Sequence, residues 1–299
     1  MRILITGGGG FIGAWLARRL AGDGHQLRVL EPVERSAQFN RIVGSAAASV
    51  EWRIGDITDA EVVRAAAKGC DGIVHLAGVL TPACKADPVR GAMINLVGTL
   101  NVFNAAQALG IRRIVYTSSA GVYGPDDDTT PHPITHYGAF KLACEGSARA
   151  YWEDHRIASV GFRPYIVYGF GRETGLTAGP SLACRAAARG EAYVIPYVGT
   201  AGLVFVDDVV AAYEAALRRE PDGAHVFNLP GEVVSNDDVV AAVRAVVPDA
   251  RIGIEGPELP FAEDIGEAEL RHVFPDLPAT SLRDGIRRTI ELYRTNPGL

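Results

Sequence analysis

The chain opens on a short apolar run, Ile3–Thr6, followed by four consecutive glycines, Gly7 to Gly10, and an apolar-periodic stretch from Phe11 to Leu20. This order admits few folds. The spacing Gly7-x-x-Gly10-x-x-Gly13 predicts a strand-to-helix turn with a tight bend, a close backbone approach to a pyrophosphate, and helix packing directly on the strand. Unpaired N–H groups in the first helical turn then face the anion.

Short β-rich runs alternate with Ala-rich helical stretches through the first two hundred residues. Ile3–Thr6, Gln26–Leu30, Val50–Ile54, Gly72–Leu76, Arg113–Thr117 and Ser159–Arg163 read as strands. Phe11–Leu20, Ala60–Ala67, Val89–Leu109 and Tyr137–Glu153 carry apolar residues at helical spacing. Such alternation predicts parallel β-α-β units, hence an α/β fold with a doubly wound parallel sheet of Rossmann type. Beyond Phe170 the pattern loosens into shorter elements, with helices expected near Pro180–Arg189, Asp207–Leu217 and Leu282–Tyr293. The expected organisation is a dinucleotide-binding domain over residues 1–169 and a small substrate-capping region over 170–299. Part of the latter, about 200–230, returns to the main domain.

The 299 residues carry a formal net charge of -6 and no basic run. That balance argues against nucleic acid and anionic membrane surfaces as partners. Arg, Asp or Gly interrupts every apolar run before it reaches bilayer length. The four cysteines lack C-x-x-C or metal-ligand spacing, so reduced thiols, a cytoplasmic location and no catalytic metal are expected. The acidic run Asp126–Asp128 reads as a solvated loop.

Three features point to chemistry. Glu31 ends the second strand, where a dinucleotide fold places a carboxylate on the adenosine ribose. An acid there repels the extra phosphate of NADP, so NAD is favoured, although Arg35 stands four residues on. Tyr137-Gly-Ala-Phe-Lys141 places a phenol and an ammonium one turn apart on one helix face, and the ammonium favours a phenolate able to act as acid/base. The hydroxyls of Thr117-Ser118-Ser119 leave the carboxyl end of the fifth strand, where open α/β sheets bind ligands.

Taken with His75-Leu76-Ala77-Gly78, Asn95-x-x-Gly98-Thr99-x-Asn101, Ser118–Gly124, Arg163–Gly169 and Val206–Val209, these motifs resemble the extended short-chain dehydrogenase/reductase superfamily. They are most similar to its NAD-dependent epimerase/dehydratase family. The resemblance runs from residue 1 to about 220. It implies that Gly7, Gly10, Phe11, Ile12 and Gly13 bind the pyrophosphate and that Glu31 holds the ribose. Asp56 and Ile57 would flank the adenine, and Leu76, Ala77 and Gly78 would line the cofactor groove. Ser119 would be the catalytic hydroxyl, Tyr137 the acid/base and Lys141 a second bond to the nicotinamide ribose. Asn95 would orient cofactor or substrate. A homodimer through Val89–Leu109 and Tyr137–Glu153 is implied as well.

Departures from the family pattern narrow the chemistry. Ala120-Gly121 replaces the Asp-Glu pair of sugar-nucleotide 4,6-dehydratases, and Gly121 replaces the cysteine of GDP-mannose-type 3,5-epimerases. Ile166 and Ala201 occupy positions where relatives offer an asparagine and an arginine to a substrate diphosphate, and Arg172, Arg185 or Arg189 are the replacements the sequence offers. The expectation is hydride transfer at a secondary alcohol of a small polyhydroxylated compound, a sugar, sugar acid or lactone, without a nucleotide. The alternative is a UDP-sugar 4-epimerase.

Overall fold

The computed structural model describes residues 1–34, 36–125, 129–219, 222–259, 262 and 264–296. Arg35 and Asp126–Asp128 lie outside the described residues. The first half runs β1 (Arg2–Thr6), α1 (Phe11–Gly22), β2 (Gln26–Glu31), α2 (Ala37–Val43), β3 (Glu51–Ile54), α3 (Ala60–Ala67), β4 (Gly72–His75), α4 (Thr81–Ala86), α5 (Pro88–Ala92), α6 (Gly98–Leu109), β5 (Arg113–Thr117) and α7 (His136–His155). It continues as β6 (Ser159–Pro164), β7 (Ile166–Tyr168), α8 (Gly179–Arg189), β8 (Tyr193–Ile195), β9 (Thr200–Phe205), α9 (Val206–Arg218), β10 (Ala224–Leu229), β11 (Glu232–Ser235), α10 (Asn236–Val246), β12 (Ile252–Ile254), α11 (Ala268–Val273) and α12 (Leu282–Thr295).

Seven strands form one sheet in the order β10-β6-β5-β4-β1-β2-β3, every pair parallel. The order reverses between β1 and β4, which opens a crevice at the carboxyl ends of those strands. Alternate residues serve opposite layers, as the two-residue period of a strand requires. Ile3 and Ile5 pack with Leu16, Leu20 and Val209 on one face, whereas Leu4 packs with Val63, Val102 and Phe103 on the other. Both layers are fully apolar, so β1 reads as a continuous hydrophobic run.

The chain from Ile166 onward builds two small sheets, β11-β9-β7 and β12-β8. Its last helix is drawn tightly onto β7: a Cβ at Gly285 would stand 2.0 Å from Tyr168 Oη. β10 leaves this region to join the main sheet beside β6, in register from Ala224 on Ser159 to Leu229 on Pro164.

One predicted helix is not continuous. Val89–Leu109 divides into α5, a π-helical turn at Met93–Val97, and α6. The wider turn carries Asn95 inward, where its side-chain amide donates to the Gly91 carbonyl at 3.1 Å. Apolar periodicity does not register one extra residue in a turn, so the sequence pattern reads through the break.

His75 locks β1, β4 and α6 together. Its ring lies 2.7 Å from Thr6 Oγ1 through Nδ1 and 2.9 Å from Thr99 Oγ1 through Nε2. Burial first, and the nearby Lys141 charge second, push its pKa down to about 3. The ring is therefore neutral in the fold, while the unfolded chain takes up a proton near the ordinary value of about 6.5. Stability from this group is complete above that value and is lost as pH falls from about 6.5 towards about 3. Denaturant melts at pH 7, 5.5 and 4.5 should show this slope in the wild type and a shallower one in His75→Asn; equal slopes would assign the acid sensitivity elsewhere.

Candidate active site

The glycine turn closes against the two strands beside it. The Gly7 N–H donates to the Leu30 carbonyl at 3.1 Å, and Gly7 has φ +70°. A Cβ on Gly7 would meet the Ala77 nitrogen at 2.5 Å, and one on Gly13 would meet the Gly8 Cα at 2.5 Å. Side chains are thus excluded where a pyrophosphate must approach the backbone. Gly10 begins α1 without a side-chain cap, so the first-turn N–H groups of Phe11, Ile12 and Gly13 are left to the cleft that these residues line. Glu31, at the end of β2, accepts the Gly9 N–H at 2.7 Å through Oε1. Partial burial pushes its carboxyl up from the usual range, and its Oε2 remains available to a ribose hydroxyl. A Cβ-free cradle, an uncapped helix end and a carboxylate at the second strand fit an NAD molecule.

Leu76 and Gly78 line the cleft, with Ala77 packed behind Gly7. Asn95 is the candidate for orienting cofactor or substrate. It is fully buried, its Oδ1 accepts the Val79 N–H at 3.2 Å and its Nδ2 donates to the Val79 carbonyl at 3.1 Å. Both ends of the amide are spent on backbone, so Asn95 positions the Gly78–Val79 segment. Ile57 is likewise a core residue, in contact range of Gly98. Asp56 is exposed and bonds the Thr58 N–H and hydroxyl, each at 2.9 Å, which hold its carboxyl below the usual range.

The hydroxyl set gathers at the end of β5. Ser118 is buried and donates to Glu145, which also takes Arg163 Nε at 2.8 Å. Ser119, next in the chain, turns the other way into the cleft, and its Oγ accepts the Gly121 N–H at 3.0 Å. Tyr137 lines the same wall. Helix α7 is brought there by Gly138, where a Cβ would overlap the Gly121 oxygen at 2.0 Å, and Thr135 Oγ1 caps its start on the Gly138 N–H at 3.0 Å. Lys141 Nζ donates to the Thr117 carbonyl at 2.7 Å and lies 5.7 Å from the Tyr137 ring centroid. A hydroxyl donor, a phenol and an ammonium can here bind a carbinol oxygen and move its proton.

The far wall comes from β7 and the loop after it. Ile166 and Val167 line the cleft, with Arg172, Glu173 and Leu176 across its mouth. The cleft measures about 520 Å³. Of the three candidate arginines only Arg172 lines it; Arg185 is paired with Glu173, and Arg189 lies 3.9 Å from Glu191. Ala201 is buried in β9, paired with Val234. Gln38 is a wall residue that sequence reasoning missed: from α2 it donates to the Gly171 carbonyl and holds the loop down. Only the Ser36 cap of α2, whose Oγ accepts the Phe39 N–H at 3.1 Å, offered a signal for that helix. His132 and His136 stand four apart, but α7 begins at His136, so they do not share a helical turn. Among the described residues no cluster of three metal-ligating side chains occurs.

Comparison with known proteins accords with this geometry. Residues 3–229 match the NAD dependent epimerase/dehydratase family. A UDP-glucose 4-epimerase of Mycolicibacterium smegmatis is 30% identical, covering 98% of this chain and 99% of its own. A UDP-glucose 4-epimerase of Thermus thermophilus, solved with NAD, superposes with a TM-score of 0.84 at 23% identity, over 98% of this chain and 99% of that one. The corresponding enzyme of Thermotoga maritima, solved with UDP-glucose, gives 0.87 at 22% identity over 99% and 100%. The fold is therefore that of these enzymes, and the chain belongs to the NAD-dependent epimerase/dehydratase family of the extended short-chain dehydrogenases, with NAD as its cofactor.

Proposed function

We propose that the protein is a nucleotide-sugar 4-epimerase, which oxidises a ring carbinol transiently and returns the hydrogen to the opposite face. The observation that carries this is the end-to-end similarity to the Mycolicibacterium smegmatis enzyme. It displaces the expectation of a free sugar or sugar acid as first choice. Bound NAD supplies the hydride acceptor and, on return, the donor. Tyr137 Oη takes the carbinol proton on oxidation and gives it back on reduction. Ser119 Oγ–H donates to the oxygen while it is a carbonyl, its own lone pair already satisfied by Gly121. Lys141, fixed on the Thr117 carbonyl, stands beside the phenol ring and would also bond the nicotinamide ribose of bound NAD.

The glycine turn would hold the pyrophosphate and Glu31 the adenosine ribose, with Asp56 bordering the adenine and Ile57 backing it from the core. Residues 1–169 serve NAD, and 170–299 serve the substrate except where about 200–230 rejoins the sheet. Val89 and Met93, 75% and 43% exposed, support a homodimer across Val89–Leu109 and Tyr137–Glu153. No helix among the described residues is long and apolar enough to cross a membrane, and we place the enzyme in the cytoplasm.

One observation favours a second reading, net oxidation of a free sugar, sugar acid or lactone. Ile166 lines the cleft with an apolar side chain where a diphosphate partner would be expected. Incubation with NAD and a panel of sugars, sugar acids and UDP-sugars decides: isomerised UDP-sugar without net NADH supports the epimerase, and stoichiometric NADH from a free sugar replaces it.

Tyr137→Phe should keep NAD affinity and lower turnover by about 10²–10⁴-fold, measured by single-turnover product formation beside cofactor titration. Retained turnover would place the proton elsewhere. Glu31→Ala should narrow the preference for NAD over NADP, because it removes the charge that repels a 2′-phosphate. Paired titrations check this, and an unchanged ratio would assign the choice to another group.

A further inference from the structure

Among the described residues Arg172 has no counter-ion. Its Nη1 donates to the Val167 carbonyl and its Nη2 to Thr177 Oγ1 at 2.7 Å. Both acceptors are neutral. Among the described residues no carboxylate pairs with it. The neighbouring Glu173 does not serve, since it is turned away onto Arg185 and the Tyr293 hydroxyl, 3.1 Å from its Oε1. Burial accordingly pushes the Arg172 pKa down to about 10, which still leaves the group charged at neutral pH.

A guanidinium has five donors. Two are spent on the loop, so three remain, and Arg172 is part of the cleft wall. Its setting is also rigid. Gly171 and Gly175 take φ +92° and +103°, the Gly171 N–H is held by Tyr293 Oη at 3.1 Å, and the Gly171 carbonyl is held by Gln38. A half-buried charge that lacks a counter-ion is costly to a fold unless a partner arrives. A planar fork with free donors matches phosphate and carboxylate oxygens best.

We propose that Arg172 is the receptor for an anionic group of the substrate, a phosphate or a carboxylate, held across the cleft from Tyr137. The proposal rests on Tyr137 and Ser119 marking the reacting end of that cleft. It assigns the anion to the loop after β7, and not to the strand positions Ile166 and Ala201. The anion then places the reacting carbinol by its distance from a fixed charge, as an oriented substrate requires.

The test titrates NAD-loaded protein by calorimetry with UDP, galacturonate and neutral galactose, in the wild type, Arg172→Met and Arg172→Lys. Wild-type protein should bind UDP or galacturonate in preference to galactose. Arg172→Met should weaken that anion about 10–100-fold, the loss of one or two charge-assisted bonds, with NAD affinity and the melting temperature of the NAD complex little changed. Arg172→Lys should recover part of the affinity, because it keeps the charge but not the fork. UDP binding identifies a phosphate. Galacturonate binding without UDP identifies a carboxylate, and it overturns the nucleotide-sugar reading while leaving the receptor in place. Galactose binding as tightly as either anion, anion affinity unchanged in Arg172→Met, or loss confined to NAD would each overturn the proposal, the last by assigning Arg172 to the cofactor.

Discussion

The molecule depends on one close approach of backbone to backbone, at Gly7. The turn after β1 lies so near the Leu76–Ala77 segment after β4 that any Cβ would overlap it. Overlap of that kind is relieved only by moving the strand or the turn, and both are locked in the parallel sheet. Because β1 and β4 flank the switch in strand order, the same approach shapes the crevice that a dinucleotide enters. His75 supports it from below, joining Thr6 to Thr99 through a neutral ring. The Thr99 hydroxyl donates to the Asn95 carbonyl at 2.6 Å, so Nε2–H donates to Thr99 and Nδ1 accepts from Thr6. A charged imidazole could not accept there, so the crevice and the protonation state of one buried side chain are linked.

The reacting end has an analogous foundation. Ser118 and Ser119 are adjacent, and extended backbone sends them to opposite sides. One is consumed by Glu145 and Arg163, a buried pair that also engages Tyr123 and, through it, Asn228 of β10. The other is left for the cleft. The inner pair thus braces β5, β6, β10 and α7 around the outer serine. Removing one partner of such a pair strands a buried charge, and the disturbance would reach Ser119 through a single peptide unit.

Much of this was legible in the chain because it repeats or is local. The strand-helix alternation, the glycine turn and the Tyr137–Lys141 spacing are properties of neighbouring residues, and the sheet followed from them. Asn95 was legible as a polar residue in a motif but not as to its role. Its inward turn depends on a π-helical step that periodicity cannot detect, and its partners at Val79 are sixteen residues away. Gln38 and Arg172 were harder still. Gln38 meets Gly171 across 133 residues of chain, and Arg172 differs from Arg185 only in which of them Glu173 neutralises. No local pattern encodes such a choice, because it is settled by the packing of α8, α12 and the loop between β7 and α8.

That packing separates the chemistry from its selectivity. Ser119 stands in the turn after β5, and Tyr137 and Lys141 on α7, positions set by the parallel sheet and by the glycine contacts at 121 and 138. Arg172 stands on a loop whose anchors, Gln38 and Tyr293, come from α2 and α12. The two groups share a cleft but few supports. A change in α12 or in the loop can therefore move the fixed positive charge relative to the reacting hydroxyls without disturbing β5. Ile166 gives the cleft wall apolar surface, and on the Arg172 proposal charge recognition is concentrated on one side chain. One fork of three free donors engages one phosphate or one carboxylate well, whereas a diphosphate gripped at both ends needs a second cation. On that proposal, substrate choice turns on how far the anion lies from the carbinol, a distance set by the loop after β7 and its anchors on α2 and α12.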